Sequence, residues 1–405
     1  GRQRVPQNGP LGRYSDRGMT MHTVRIAVVG GGLSGLYAAY LLERQGITDY
    51  VLLEGREVLG GRIASIDATG QAVTHTTANT DGIDRFDLGP TWFWPGYQRE
   101  LDRLVEALGL ERFEQFEEGD MVVERSPEEP PMRMRGYVNS PVSMRLVGGM
   151  GSLIEALRDT LAPANIITGH TVRRLRKHDR HIELESEDAA GHISAWHAEH
   201  VLLALPPRLV ESTLVFEPAL PASLARQWRE TATWMAPQAK YVAIYDTPFW
   251  REQGLSGEGR SARGPLGEIH DASMLGGSAA LFGFLGVPAR VRSTVCDEVL
   301  RTHCRAQLVR MFGPLAATPK AESIKDWAQD PFTATTVDLN ATPQHALAPS
   351  TKATSGPWQG CLTGIASEWS PQFSGYLAGA VEAAGLGVKA WAERAAAPAL
   401  NPSKR

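Results

Sequence analysis

Three glycines and one glutamate near the start of the chain have the types and spacing that bind a dinucleotide. Gly30, Gly32 and Gly35 follow a G-x-G-x-x-G pattern, and Glu54 comes 19 residues after Gly35. In this pattern the first glycine permits a tight turn, the second lets a pyrophosphate approach the backbone, and the third lets a helix pack closely on a sheet. A carboxylate at Glu54 can accept hydrogen bonds from an adenosine ribose, and it would repel the 2′-phosphate of NADP. These residues therefore predict a site for NAD or FAD.

The elements around these glycines are the ones that such a site requires. Residues 24–29 form a short β-branched run that predicts a central strand, and Tyr50–Leu53 predicts a second strand that ends at Glu54. Between them, apolar residues at helical spacing predict a helix. Its N-terminus would direct N–H groups, including those of Leu33 and Ser34, toward the phosphates. A glycine-rich turn in an ordinary βαβ unit is the weaker alternative, because the motif lies in its required context.

The residues that follow distinguish FAD from NAD. Gly60-Gly61-Arg62 comes shortly after Glu54, and Arg56 lies between them. This run resembles the opening of the flavin amine oxidase family, in which the glutamate is followed by an arginine-rich turn and then Gly-Gly-Arg. The resemblance implies that the dinucleotide is FAD and that Arg56, Gly61 and Arg62 contact it. Val58 stands where the family usually has another arginine, so we expect one charged contact to be missing.

Later segments resemble the same family and imply further contacts with the cofactor. One, which contains Gly89, Pro90 and Thr91, resembles the D-x-G-x-x-W segment that passes close to the flavin ring in the family. Another is a predicted strand over residues 166–172, which ends at Val172; the matching valine of the family holds the adenine. Another has a tryptophan that packs by the flavin, and the last has a glutamate that meets the ribityl chain. The residues at these places are Gly89, Pro90, Thr91, Val172, Trp327 and Glu368. Thr336 falls where monoamine oxidases have the cysteine that bonds flavin covalently, so we expect non-covalent FAD.

The resemblance also implies the catalytic residues. Lys240 has the offset to a Pro-Phe-Trp run that monoamine oxidases show, and their lysine holds a water at flavin N5, where a cation can also stabilise charge. Tyr376 matches one aromatic residue of a substrate cage, whose ring face can orient an amine. Val337 stands at the second aromatic position, so we expect Trp369 or Trp92 to fill the gap, or a substrate bulkier than a simple arylalkylamine. The alternatives are a solvated lysine at Lys240 and domain-junction packing at Trp92.

The order of the predicted elements indicates an α/β fold. A discontinuous FAD-binding Rossmann-like (GxGxxG) domain would carry an inserted α+β substrate domain. Residues 1–20 are rich in Gly, Arg, Pro and Gln without an apolar h-region, so we expect a disordered arm or leader there. The FAD-binding domain is expected over residues 21–95, 142–215 and 350–405, and the substrate domain over 96–141 and 216–349.

Composition limits the classes of partner. The 405 residues are 42% hydrophobic and 21% charged, as in ordinary globular proteins, and a net charge of −4 gives no reason to expect nucleic acid or an anionic membrane. No apolar run approaches the ~18 residues that span a bilayer. The three cysteines show no CxxC pattern, which fits a reduced, cytoplasmic setting, and the sequence predicts no metal site. A homodimer is a further expectation that the sequence leaves open.

Taken with the resemblance, these features imply a bacterial-type flavin monoamine oxidase. A neutral amine would lose hydride from the carbon next to nitrogen to flavin N5, the imine would hydrolyse, and O2 would reoxidise FAD and yield hydrogen peroxide. An electron-carrier protein in place of O2 stays open, as does the identity of the amine. One rival is an L-amino-acid oxidase, which the lack of an arginine after Gly89 opposes. The others are a desaturase, which Lys240 opposes, and a flavin-binding protein without turnover.

Overall fold

The computed structural model of the chain describes residues 13–14, 20–74, 82–341 and 345–397. Part of the predicted disordered arm is a strand instead, because Arg13–Tyr14 pairs antiparallel with Thr20 and Met21. Residues 1–12 and 15–19 of that arm lie outside the described residues.

The elements below are those of the described ranges. The strands are β1 Arg13–Tyr14, β2 Thr20–Val29, β3 Tyr50–Leu53, β4 Ser65–Asp67, β5 Arg85–Asp87, β6 Arg112–Glu114, β7 Asp120–Glu124, β8 Met132–Met134, β9 Met144–Leu146, β10 Ile166–Ile167, β11 Thr171–Lys177, β12 Ile182–Glu187, β13 Ile193–Leu203, β14 Val215–Glu217, β15 Ala239–Tyr245, β16 Leu255–Ser261, β17 Leu266–Asp271, β18 Ala279–Leu285, β19 Ala321–Asp326 and β20 Leu362–Gly364. The α-helices are α1 Leu33–Arg44, α2 Arg99–Ala107, α3 Gly151–Thr160, α4 Pro207–Thr213, α5 Ala222–Glu230, α6 Phe249–Glu252, α7 Ala289–Arg292, α8 Asp297–Phe312 and α9 Leu377–Ala396. The 3₁₀ helices are Pro163–Asn165, Pro314–Ala317, Trp327–Gln329, Thr336–Asn340 and Ser367–Trp369.

The first sheet has nine strands and carries the predicted dinucleotide motif. Its order is β10-β3-β2-β13-β12-β11-β14, with β1 also paired to β2 and β20 to β13. The last four residues of β2, 26–29, are apolar on both faces of the sheet, and their side chains alternate between two cores. Ile26 and Val28 pack in the core with α1, α3 and α9, whereas Ala27 and Val29 pack in the core on the opposite face. The parallel strands β2, β3 and β13 end at one edge, where open α/β sheets bind ligands.

The second sheet has seven strands in the order β19-β15-β18-β17-β16-β7-β8. One face packs against α8, with Tyr241 and Tyr245 of β15 in that core. Alternate residues of the same strand, Val242 and Ile244, pack in a separate core with residues from β4 and β5. Because side chains two apart share a face, Lys240 belongs to the side of β15 that carries Val242.

The two sheets and their helices confirm the predicted α/β class, whereas the domain boundaries stay a prediction. The continuous strand predicted over residues 166–172 is wrong, because the chain turns at Gly169, with a φ of 71°, between β10 and β11. Among the described residues, no helix is long and apolar enough to cross a membrane. In the same part of the chain, no group of three His, Cys, Asp or Glu could hold a metal ion.

Candidate cofactor and active site

The turn between β2 and α1 and the first turn of α1 contain glycines at positions where a Cβ atom would collide with backbone. Gly30 has a φ of 113°, and a Cβ there would lie 2.5 Å from the carbonyl oxygen of Ala204. A Cβ on Gly35 would lie 1.9 Å from the carbonyl oxygen of Gly30. No side chain in the described part of the chain caps α1, whose N-cap is Gly32. The first N–H groups of this helix and the positive end of its dipole are therefore available to a phosphate.

Glu54 holds this turn from the end of β3. The side chain is buried; Oε1 accepts a hydrogen bond from the N–H of Gly31 at 2.8 Å, and Oε2 accepts one from the N–H of Arg56 at 2.7 Å. Burial raises the pKa of Glu54, although these donors and the Arg56 charge oppose the rise. The carboxylate is thus fixed beside the turn and keeps lone pairs for the hydroxyl groups of a ribose.

A cavity of about 250 Å³ opens at this turn. Its wall combines residues from β2, α1, β3, β11, the start of α9 and the loops between them. The structure therefore brings together many residues that the sequence placed at the cofactor. Those in the cavity wall are Gly30, Gly32, Leu33, Ser34, Glu54, Arg56, Gly61, Arg62, Pro90 and Val172, and the wall also includes Tyr376 of the predicted substrate cage.

The chemistry of this wall fits FAD. The glycine turn and Glu54 offer donors for phosphate and acceptors for ribose. His170, also in the wall, has a buried Nδ1 atom without a hydrogen-bond partner among the described residues, which a bound purine could satisfy. The aromatic side chains of Trp234, Phe332 and Tyr376 line other parts of the same cavity and offer apolar surface for a flat ring system.

Two arginines of the wall are held by buried acids. Nη1 and Nη2 of Arg62 donate to the carboxylate of Glu368 at 2.7 and 2.9 Å, and Nη1 also donates to the carbonyl of Trp234 at 3.2 Å. Arg56 donates to Asp330 at 2.8 Å. Burial alone would raise the pKa of Glu368, but the charge and hydrogen bonds of Arg62 outweigh burial and lower the pKa. Glu368 therefore fixes the Arg62 guanidinium in the wall through a bidentate pair.

Gly89 and Trp327 fix the path of the chain along the cavity at Pro90. A Cβ on Gly89 would lie 1.9 Å from the carbonyl oxygen of Arg62, so only glycine fits there. The indole N–H of Trp327 donates to the carbonyl of Leu88 at 3.0 Å, and this tryptophan is completely buried. These contacts hold the two residues before Pro90 against the core.

Lys240, near the start of β15, is bound to the same segment. Its Nζ donates to the carbonyl of Gly89 at 3.0 Å and to Oγ1 of Thr91 at 2.7 Å, on the two sides of Pro90. The side chain is only 1% exposed, which excludes the alternative of a solvated lysine. Burial lowers the pKa of Lys240 to about 7, and the charge of Asp87 opposes this change. Such a lysine can exchange its proton near neutral pH, as residues at functional sites often do.

An aromatic cluster lies beside Lys240. The Nζ atom is 4.1 Å from the ring centroid of Phe282. The ring of Trp92 is 5.7 Å from that of Phe282 and packs edge-on against His270 at 4.8 Å. Its indole N–H donates to Oε1 of Gln115 at 2.8 Å, which fixes the orientation of the ring. Trp92 is therefore on the Lys240 side of the site.

Two residues predicted for the substrate cage lie elsewhere. Trp369 is buried in the core on the second face of the nine-stranded sheet. It packs edge-on against Trp228 at 5.3 Å, and its N–H donates to the carbonyl of Ser350 at 3.0 Å. This placement contradicts a role for Trp369 opposite Tyr376. Val337 lies in a 3₁₀ helix and is 53% exposed, so it does not supply a buried wall there either.

Three aromatic side chains of the wall, those of Trp234, Phe332 and His170, were not predicted from the sequence. The backbone N–H of Trp234 donates to Oε2 of Glu368 at 3.1 Å, which joins Trp234 to the Arg62–Glu368 pair. Phe332 lies under the guanidinium of Arg56, at 5.4 Å from its Cζ atom to the ring centroid. Phe332 follows a proline in the segment after the predicted tryptophan, so this motif could have identified it. Trp234 and His170 belong to no such motif.

Comparison with known proteins agrees with a flavin-dependent oxidoreductase built on a dinucleotide-binding fold. A family model described as flavin containing amine oxidoreductase matches residues 130–387, which is more than half of the chain. A second, described as an NAD(P)-binding Rossmann-like domain, matches residues 28–108. The chain belongs to the flavin-containing amine oxidoreductase family. The predicted family, fold class, enzyme class and FAD cofactor are thereby confirmed.

Individual relatives include oxidases of several amines. Probable flavin-containing monoamine oxidase A of Dictyostelium discoideum is 21% identical over 411 residues, covering 76% of this chain and 84% of that protein. Putrescine oxidase of Kocuria rosea is 26% identical over 270 residues, and the match spans 62% of this chain but only 55% of that protein. A solved structure of wild-type putrescine oxidase bound to putrescine has a TM-score of 0.72 at 20% identity, covering 92% of this chain and 100% of its own. Cyclohexylamine oxidase from Brevibacterium oxydans IH-35A has a TM-score of 0.73 at 19% identity, covering 92% and 99%. These two structures share the fold of this chain.

Proposed function

We propose that this protein oxidises a small-molecule amine to an imine, which then hydrolyses, with FAD as cofactor and O2 as electron acceptor. The observation that supports the proposal most strongly is the position of Lys240, which is buried and hydrogen-bonded on both sides of Pro90 in the cavity wall. When bound, FAD supplies the acceptor atom N5 for hydride from the carbon next to nitrogen and passes both electrons to O2, which yields hydrogen peroxide.

The wall residues divide the binding of this cofactor among them. The glycine turn and the N-terminus of α1 would hold the pyrophosphate, and Glu54 would accept the ribose hydroxyl groups. His170 and Val172 would contact the adenine. Arg62, fixed by Glu368, would meet the ribityl chain or the flavin.

Lys240 would act by holding a proton or a water molecule at the reacting side. An ammonium group has three N–H donors, and Gly89 and Thr91 accept two of them, which leaves one for a water molecule. Because the pKa of Lys240 is lowered to about 7, the group can change its charge at neutral pH. A fixed donor of this kind needs little reorganisation during the reaction.

The amine would bind against aromatic surface. Trp92 and Phe282 lie beside Lys240, and Tyr376 lies in the cavity wall. These side chains exclude water and favour the neutral amine, which is the form that can lose hydride. Because Trp369 packs in the core, it would not face Tyr376 across the substrate.

We further propose that the protein binds FAD without a covalent bond. Thr336, at the position of the family's cysteine, has a hydroxyl group that cannot form a thioether. Acid precipitation of the flavin-loaded protein should release all of the flavin into the supernatant. Flavin that stays with the precipitate would contradict non-covalent binding.

The function is tested by mixing the flavin-loaded protein anaerobically with a panel of benzylamine, cyclohexylamine, putrescine and phenylalanine, and then admitting air. We expect at least one of the three amines to bleach the flavin and air to restore the colour while hydrogen peroxide forms. Bleaching by phenylalanine alone would favour an amino-acid oxidase. Bleaching that air reverses only slowly would favour an electron-carrier protein as acceptor, and no bleaching by any of these compounds would overturn the proposal.

A further inference from the structure

Two segments that are distant in sequence from Tyr376 contact its ring. The imidazole of His345 stacks on it, with 4.2 Å between ring centroids and 5° between ring planes. The indole of Trp94 packs against it edge-on, at 6.0 Å and 85°. Tyr376 itself is 38% exposed and lines the cofactor cavity. One ring face is therefore covered, and a second aromatic ring packs nearly perpendicular to Tyr376, although the residue lies at the surface.

Both neighbours of Tyr376 are themselves held in place. Nδ1 of His345 is 2.8 Å from the carbonyl oxygen of Ser374, in the turn that leads to the tyrosine. Gly375, with a φ of 84°, makes room for this approach, because a Cβ there would lie 2.7 Å from Nδ1 of His345. The indole N–H of Trp94 donates to Oγ of Ser143 at 3.1 Å. The stack is thus built into the turn and is more than a chance contact of two surface rings.

We propose that His345 is a positioning residue for amine oxidation, which fixes the ring plane of Tyr376 by stacking on the face that it covers. This inference rests on the proposed function, in which the ring of Tyr376 contacts the amine. A tyrosine ring that can turn about its side-chain bonds holds an amine in many orientations, whereas a fixed ring holds it in few.

The expected effect follows from the strength of an aromatic stack. Loss of such a pair corresponds to a factor of about 2 to 10 in an equilibrium or rate constant. His345→Asn removes the ring but keeps a side-chain donor that can reach Ser374. His345→Phe keeps a ring but loses that donor. We therefore expect kcat/KM for the best amine of the panel to fall about 2- to 10-fold in H345N and to stay close to the wild-type value in H345F.

A double-mutant comparison separates positioning from general destabilisation. In a Tyr376→Ala background, His345→Asn should cause no further loss of kcat/KM, because the ring that it positions is gone. Bound FAD and the midpoint of thermal unfolding should be the same in H345N and H345F. An undiminished loss in the Y376A background, or an equal loss in H345N and H345F, would overturn the proposal.

A second measurement does not depend on activity. Protein labelled with 3-fluorotyrosine gives a ¹⁹F resonance for Tyr376. This resonance is identified because it is missing from the spectrum of Y376F. The ring current of the stacked imidazole should shift this resonance. His345→Asn should therefore move the resonance, whereas His345→Phe, which keeps a ring, should not give the resonance position of H345N. An unchanged resonance in H345N would overturn the stack. If no amine bleaches the wild-type flavin, the proposed function fails, whereas the ¹⁹F result still decides whether His345 fixes the ring.

Discussion

The buried position of Lys240 predicts a pH dependence of folding that its replacement by methionine removes. Burial lowers the pKa of Lys240 from 10.5 to about 7. Between these two pH values the unfolded chain binds more protons than the folded one. The free energy of unfolding therefore rises with pH from about 7 to 10.5, and this gain is lost as the pH falls back to 7. A gap of about 3.5 between the two pKa values corresponds to about 5 kcal/mol in all, of which about 2 kcal/mol falls between pH 7 and pH 9.

The measurement compares urea unfolding of the wild type and Lys240→Met at pH 7, 8 and 9 with the same FAD concentration. Methionine has a similar length and no charge, and any hydrogen bonds that it loses shift the difference by a constant. We expect the free energy of unfolding of the wild type, relative to K240M, to rise by about 2 kcal/mol from pH 7 to pH 9. Lys389→Met, at an exposed position of α9, is the matched control and should show no such rise. A difference between wild type and K240M that does not change with pH would refute the assignment of a lowered pKa to this lysine.

Three further predictions concern the cofactor site and the sheet beneath it. Gly89→Ala should retain little FAD after gel filtration, because its Cβ would lie 1.9 Å from a backbone atom. Gly267→Ala, where a Cβ meets nothing within 4 Å, should retain the wild-type amount, and equal flavin content in the two variants would contradict the close approach at Gly89. Arg62→Gln should lower the free energy of unfolding by about 3 to 5 kcal/mol, and by more than Glu368→Gln does. The reason is that Arg62→Gln leaves a carboxylate of 1% exposure without its ion-pair partner, whereas Glu368→Gln leaves an arginine of 18% exposure; the reverse order in urea unfolding would contradict this reasoning. Burial lowers the pKa of His200 to about 4, so its contribution to stability is present above pH 6.5 and is lost as the pH falls toward 4. From pH 7 to pH 5 the wild type should therefore lose about 2 kcal/mol more than His200→Asn, and equal losses would count against this account.

The parts of the fold that short-range patterns encode could be predicted from the sequence. The first βαβ unit follows from a β-branched run, the glycine turn and the spacing to Glu54, and the structure has β2, α1 and β3 at those places. Strand β16 was not predicted, because Leu255–Ser261 is rich in glycine and polar residues. It is a strand only because β7 and β17 pair with it, which is a long-range effect on a segment of low β propensity.

The candidate site shows the same division. Lys240 and Glu368 were predicted from motifs at fixed offsets, and both are buried at the cavity or directly behind its wall. Trp369 was assigned to the cage from its position in a motif, but its place depends on Trp228, which packs against it from a distant part of the chain. His345 has no motif at all, and only the folded chain brings it to Tyr376.

Removal of hydride from the carbon next to the amine nitrogen, as proposed above, is tested with a deuterated substrate. The flavin-loaded protein is mixed anaerobically in a stopped-flow instrument with the best amine of the panel, with and without deuterium at that carbon. We expect this amine to bleach the flavin, and we expect bleaching to be slower with deuterium because the bond that breaks is the carbon–hydrogen bond. Flavin that stays bound and coloured with every amine would contradict the account, as would the same bleaching rate with both isotopes at saturating amine.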